Sequence, residues 1–338
     1  MATNPPPAPP PDPSAKLKTP AFMAVINELN VNLDQLTKRQ KLISEIEQAL
    51  TAKYHSPNRL MAYVMRFGHS RTMMQTVDIP NIATVLSSIT GAEQINLLIH
   101  SPGGDGTITE KIVDVCRAHL VGANKKLRVI VPNVAKSAAT ILALGTDEII
   151  MGYTSELGPI DPQVPITVSG STQWVSAFAF VEARDNLMKE IAKAMKKNQQ
   201  PSVGLLTQLA GLNIPFTDEM ENQIGFAKKT AITLLDKYML VPIHQNAKKR
   251  KKSAETIAKK LLSKELFPVH GHYINGQTAK DMGLQVELLA MDDPLWTKIW
   301  EYYIRCEVQM NIALQAGYIK TKLFESGNQV SLVTQDAP

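Results

Sequence analysis

The feature that most restricts the fold of this chain is a pair of strand-turn-helix passages. In Leu97-Leu98-Ile99-His100-Ser101-Pro102-Gly103-Gly104-Asp105-Gly106 an apolar strand runs directly into a Pro-Gly-Gly turn and then a helix. The same order returns in Val129-Ile130-Val131-Pro132-Asn133-Val134-Ala135-Lys136-Ser137-Ala138-Ala139-Thr140, where the turn ends on a serine at the helix start. Leu60 to Met65 and Glu148 to Met151 read as further short apolar strands. Thr107 to Leu120 carries Ile108, Ile112, Val115 and Cys116 at helical spacing, and Ala138 to Leu144 is a compact small-residue helix. Alternating strands and helices of this kind predict an α/β domain with parallel strand pairing.

Around this centre the chain changes character. Met1 to about Pro20 is proline-rich and aperiodic, so residues 1–20 are expected to be a disordered tail. Residues 21–55 read as a helical arm, with Leu29, Leu33, Leu36, Leu42, Ile43, Ile46 and Leu50 forming an apolar stripe. That stripe has to cover the main domain or a neighbouring subunit, and a homo-oligomer is the expectation. The main domain is drawn over 56–315, with a helical insertion over about 173–265, and residues 316–338 are read as a flexible tail. Near its end, Asn275-Gly276 makes a turn, Gln277 to Met282 a short helix stopped by Gly283, Val286 to Leu289 a strand, and Pro294 to Leu314 a closing helix.

Composition excludes several classes. With 338 residues and 44% hydrophobic content the chain can bury a large core. No run reaches the ~18 uncharged apolar residues of a membrane span, and the start lacks a secretory signal pattern, so a soluble, cytoplasmic protein is expected. Two distant cysteines, Cys116 and Cys306, suggest neither a disulfide framework nor a metal site, and buried, inert thiols are expected. The net charge is +5, with much of the excess in Lys248-Lys249-Arg250-Lys251-Lys252. Without interleaved aromatics or a nucleic-acid module this run reads as a solvated face, and no nucleic-acid partner is expected. No phosphate-binding loop of the Gly-x-x-x-x-Gly-Lys type occurs, so an ATP-driven unfoldase would have to be a separate partner.

Both turns have a structural and a chemical reading. Glycine tolerates positive φ and allows close approach, so the N–H of Gly103 or Gly104 can face an incoming carbonyl oxygen; equally, the pair can be an ordinary tight turn. Ser137 can be an N-cap, or a nucleophile with the Ala138 amide beside it as a second oxyanion donor.

Taken together, the stretch from about Ile95 to Gln163 resembles the ClpP/crotonase superfamily, and within it the serine dehydrogenase proteinase branch, similar to signal peptide peptidase A. The matching phrases are Ile99-His100-Ser101-Pro102-Gly103-Gly104, Lys136-Ser137-Ala138-Ala139-Thr140, Asp147-Glu148-Ile149-Ile150-Met151-Gly152 and Ser155-Glu156-Leu157-Gly158-Pro159-Ile160-Asp161-Pro162-Gln163. The resemblance implies a ClpP/crotonase-like spiral of ββα units, with additional helices at the N-terminus and in the C-terminal half. It further implies an oligomer and acyl transfer by a serine nucleophile, Ser137. By the motif match Gly104 and Ala138 would form the oxyanion hole, and Gly103, Gly158 and Pro159 would line the substrate cleft.

A serine hydroxyl needs a base. Thr146 to Gln163 contains no histidine, where ClpP-type enzymes place theirs. Relatives of the signal-peptide-peptidase type use a downstream lysine, which points to Lys189; His270 and His272 are the alternatives. Lys136 is given at most a supporting electrostatic role, and His100 a part in shaping the turn. The expected function is thus a serine endopeptidase acting on polypeptides through a Ser-Lys dyad in preference to a Ser-His-Asp triad, with no cofactor and no metal. A catalytically silent oligomeric scaffold and a crotonase-like acyl-CoA enzyme are the alternatives, and a membrane-associated partner is a further expectation.

Overall fold

The computed structural model describes residues 25, 35–67, 72–197, 200–311, 319–328 and 331–336. The proline-rich tail and most of the arm before Gln35 lie outside the described residues. In chain order the elements begin with helix α1 (Gln35–Tyr54), strand β1 (Asn58–Met65), α2 (Asp78–Ser87), β2 (Gln94–His100), α3 (Thr109–Ala118), β3 (Lys126–Val131), β4 (Val134–Ala135) and α4 (Ala138–Leu144). Next come β5 (Glu148–Met151), β6 (Glu156–Leu157), β7 (Gln163–Val168), β8 (Ser171–Ser176), α5 (Ala177–Lys196), α6 (Val203–Ala210), α7 (Ile214–Leu234) and α8 (Ala247–Leu261). The last are β9 (Ile274–Asn275), α9 (Gly276–Asp281), β10 (Val286–Leu288), α10 (Pro294–Asn311), β11 (Ile319–Ser326) and β12 (Ser331–Asp336).

Seven strands form the main sheet in the order β10-β5-β3-β2-β1-β11-β12. The first five run parallel, while β11 pairs antiparallel with β1 and β12 antiparallel with β11. The apolar runs of the central strands are long because both faces are covered. Alternate residues divide between two cores, as the two-residue period of a strand requires. Met61, Tyr63, Leu97, Ile99, Val129 and Val131 pack with α2, α3, α4, α7 and α8 on one face. Leu60, Ala62, Val64, Leu98, Ile130 and Ile150 pack with α1 and α10 on the other. This is the α/β, ClpP-like architecture expected of the sequence.

The arm's stripe finds its partner inside the chain. Leu42, Ile43, Ile46 and Leu50 of α1 are buried against the second face of the sheet beside Trp296, Ile299 and Tyr302 of α10. From Leu42 onward the stripe is thus covered by intrachain packing.

The segment after residue 316 differs from the flexible tail that its polar residues suggested: β11 and β12 are strands of the main sheet. Two of its charges are buried in pairs. Lys322 Nζ donates to both oxygens of Asp78 at 2.7 and 2.8 Å, and Glu325 accepts from Arg39 Nε and the Tyr302 hydroxyl, each at 2.9 Å. Paired and hydrogen-bonded charges of this sort can be buried where single ones cannot. Tyr63 also donates to Asp78; burial, together with that carboxylate, raises its phenol well above the usual tyrosine range. Cys116 and Cys306 are free and buried, and burial pushes both thiols up to about 12, so they stay protonated at neutral pH.

Candidate active site

Strands β2 and β3 end side by side and deliver the two turns to each other. Ser101 N donates to Val134 O at 2.9 Å and Lys136 N donates to Ser101 O at 3.1 Å, forming a parallel bridge between Ser101 and Ala135. The Ser101 hydroxyl accepts the Gly103 N–H at 3.0 Å and fixes the turn internally. Gly103 has φ +103°, and a Cβ there would lie 2.7 Å from both Lys136 O and Ser137 Cβ, so only glycine lets the first turn lie against the second. Gly104, at φ +143°, is pressed on the backbone of Met74: Met74 N donates to Gly103 O at 2.8 Å and Asp105 N donates to Met74 O at 2.9 Å.

Ser137 adopts φ +53° and ψ −120°, a conformation that an L-residue holds only when its surroundings impose it. It occupies the N-cap position of α4, yet its side chain makes no capping bond. Ser137 lines the cleft. Ala139 N is satisfied by Lys136 O, but among the described residues neither the Ala138 N–H nor the Gly104 N–H has a hydrogen-bond partner, and both residues line the same cleft. Thr140 braces the turn, its hydroxyl donating to Ala135 O at 2.8 Å and accepting the Gly158 N–H at 3.1 Å.

The cleft has a volume of about 1090 Å³. Ile141, Ile160, Phe226 and Ala227 give it an apolar wall, Trp174 of the β7-β8 hairpin stands at its edge, and Asp105 and Glu219 bring carboxylates. Of the candidate bases, His270 alone lines it. The His270 Nδ1 is 2.7 Å from Asp161 Oδ1, while Asp161 Oδ2 accepts from Gln163 Nε2 at 2.7 Å and from the Ser176 hydroxyl at 2.8 Å. A carboxylate at this distance can accept a proton only from Nδ1–H, and in the neutral tautomer with that proton the lone pair is on Nε2. No hydrogen bond joins Ser137 and His270 in this unliganded structure; such contacts often close only on substrate.

The remaining expected residues sit elsewhere. Lys189 is exposed on α5 and lines a separate depression with Ala192, Lys193, Lys196 and Lys197; the structure does not bring it to Ser137. Gly158 and Pro159 are buried behind the cleft, whose lining on that side is Ile160, Pro162 and Gln163. His272 does not line the cleft and packs near Phe267 at 5.2 Å. His100 is buried beneath the glycine turn, between the rings of Phe67 and Tyr303 and 3.3 Å from Glu307 Oε1. Lys136 Nζ donates to Gly271 O at 2.8 Å and pairs with Glu156 at 3.1 Å. Sequence reasoning assigns no role to Asp161; its place between Pro159 and Pro162, shortly after β6, is the signal the sequence offers. Among the described residues no cluster of metal-ligating side chains occurs, and no helix is long and apolar enough to cross a membrane.

The sequence model of one family, described as ClpP-like SDH-type serine proteinase, matches residues 22–208. The chain belongs to that family. Two proteins of Methanocaldococcus jannaschii are similar over a shorter stretch: Uncharacterized protein MJ1495 is 40% identical over 70 residues, and Uncharacterized protein MJ0137 is 43% identical over 70 residues. Each match covers 21% of this chain and 23% of the relative, so the likeness spans about a quarter of those proteins. Among solved structures, a mutant of the 1510-N membrane-bound stomatin-specific protease aligns at 14% identity and a TM-score of 0.37, over 64% of this chain and 75% of that one. A second mutant of it, in complex with a substrate peptide, aligns at 14% identity and a TM-score of 0.28, over 68% and 90%.

Proposed function

We propose that the chain cleaves polypeptides with Ser137 as nucleophile, His270 as general base and Asp161 as the group that orients the imidazole. The observation that carries this reading is the shared cleft: Ser137 and His270 both line it, and His270 is the residue bonded to a buried carboxylate. The lysine dyad has no such support, because Lys189 belongs to another surface. In the reaction the Ser137 oxygen attacks the scissile carbonyl carbon while its proton passes to His270 Nε2. The oxyanion that forms takes hydrogen bonds from the free N–H groups of Gly104 and Ala138. Collapse breaks the C–N bond, His270 returns the proton to the leaving amine, and water then releases the acyl group by the same steps. Asp161 supplies charge opposite the imidazolium without taking its proton.

The acyl-CoA alternative gains no support from charge, since no lysine or arginine is among the described residues that line the cleft. The test is a fluorophosphonate probe with peptide mapping, applied to the wild type, Ser137→Ala and His270→Ala. Label on Ser137 of the wild type, its absence in Ser137→Ala and much slower labelling in His270→Ala are expected. A wild type that is folded but unlabelled at Ser137 would remove the proposal.

A further inference from the structure

The residue before the nucleophile has a place of its own in the site. Lys136 lies with its stem across Gly158, whose missing Cβ would fall 3.0 Å from the Lys136 Cγ, and its side chain is only 18% exposed. The amine at its end donates to the backbone carbonyl of Gly271 at 2.8 Å and pairs with Glu156 Oε1 at 3.1 Å. Glu156 is itself fixed, because β6 is held between β4 and β9. Gly271 is the neighbour of His270 and lies in a surface turn in which His272 N donates to Val269 O at 2.9 Å. Val269 and Tyr273 are 61% and 59% exposed, so little packing holds that turn in place. Its attachments to the site are the bond from His270 to Asp161 on one side and the bond from Lys136 to Gly271 on the other.

We infer that Lys136 is a positioning residue, which ties the His270–Gly271 turn to the same backbone segment that carries Ser137. The inference rests on the reading of His270 as base. Its physical content is that nucleophile and base are carried by segments far apart in sequence, and one amine spans them beside the reacting atoms. A misplacement of the order of 1 Å between two reacting groups can cost up to about 100-fold in rate. The amine acts as a donor to two oxygens, so its function is to hold the turn while the imidazole moves the proton.

Steady-state kinetics with a peptide ester should compare wild type, Lys136→Met, Lys136→Arg and His270→Ala, each checked for folding by circular dichroism. Methionine keeps the stem that covers Gly158 and deletes only the donor. Lys136→Met is expected to lower kcat about 10- to 100-fold with KM changed less than about threefold, the acid limb of kcat against pH staying in place. Arginine still offers donors to both a carbonyl and a carboxylate, and should recover kcat to within about fivefold of wild type. Wild-type kcat in Lys136→Met would overturn the inference. So would a folded Lys136→Arg that is as slow as Lys136→Met, because that result marks the amine as a proton acceptor. Full turnover in His270→Ala is a separate outcome: it removes the base assignment, and the tether with it, whatever the lysine variants do.

Discussion

Exchanging Asp161 for asparagine isolates the orienting role in one atom. The carboxylate accepts three hydrogen bonds, one from His270 on Oδ1 and two, from Gln163 and Ser176, on Oδ2. Asparagine has one oxygen and one NH2 group. The two donors hold the oxygen at the Oδ2 position, which turns the NH2 toward His270 Nδ1. The imidazole must then accept at Nδ1 and carry its proton on Nε2, where it cannot take one from Ser137. Reversing the amide sacrifices two hydrogen bonds of about 1 kcal/mol each, so about 3% of molecules would keep a competent tautomer. A loss of at least about 30-fold in kcat/KM follows, and the ceiling for a triad held in the wrong tautomer is about 10⁴-fold. Because the replacement is isosteric, stability should move by no more than about 1.5 kcal/mol. The assay is kcat/KM on a peptide ester, with a urea melt of the same preparation. A folded Asp161→Asn variant within threefold of wild type would refute the triad.

Two further outcomes follow from the placement of other residues. Gly104→Val puts a Cβ 2.4 Å from Met74 N and 2.6 Å from Met74 O at a φ of +143°, so backbone strain and overpacking together should cost about 2–6 kcal/mol and abolish turnover; unchanged urea stability with full activity would show that the turn tolerates a side chain. Lys189→Ala should leave kcat/KM within twofold, since that lysine stands exposed on α5; a folded variant slowed more than 100-fold would restore it as the base.

What the sequence disclosed depended on how local the signal was. The two glycine-serine turns were legible because positive φ and close approach select residue types within a few positions of each other. The central strands were legible because burial on both faces makes them uniformly apolar. The pairing of His270 with Asp161 was not, because it joins residues 109 positions apart, across the helical insertion, and no spacing rule reaches that far. Lys189 was favoured from the habits of relatives, while its charged neighbours on α5 already spoke for solvent. The β11-β12 segment was missed for a different reason. Nothing local marks Lys322 and Glu325 as core residues, yet both are buried with partners contributed by α2, α1 and α10, which a linear reading cannot supply.

The pairing of β1 with β11 also sets the order in which the molecule can be completed. One edge of β1 takes up β2, its near neighbour in the chain, but the other is closed only when Met61 comes to face Ser326. During synthesis that edge presents bare amides and carbonyls along a row of apolar residues, Leu60 to Met65, until about 260 more residues have left the ribosome. Exposed edges of this kind recruit strands from other chains. The nascent chain therefore carries an open strand edge for a long interval, and its closure waits for the β11-β12 pair.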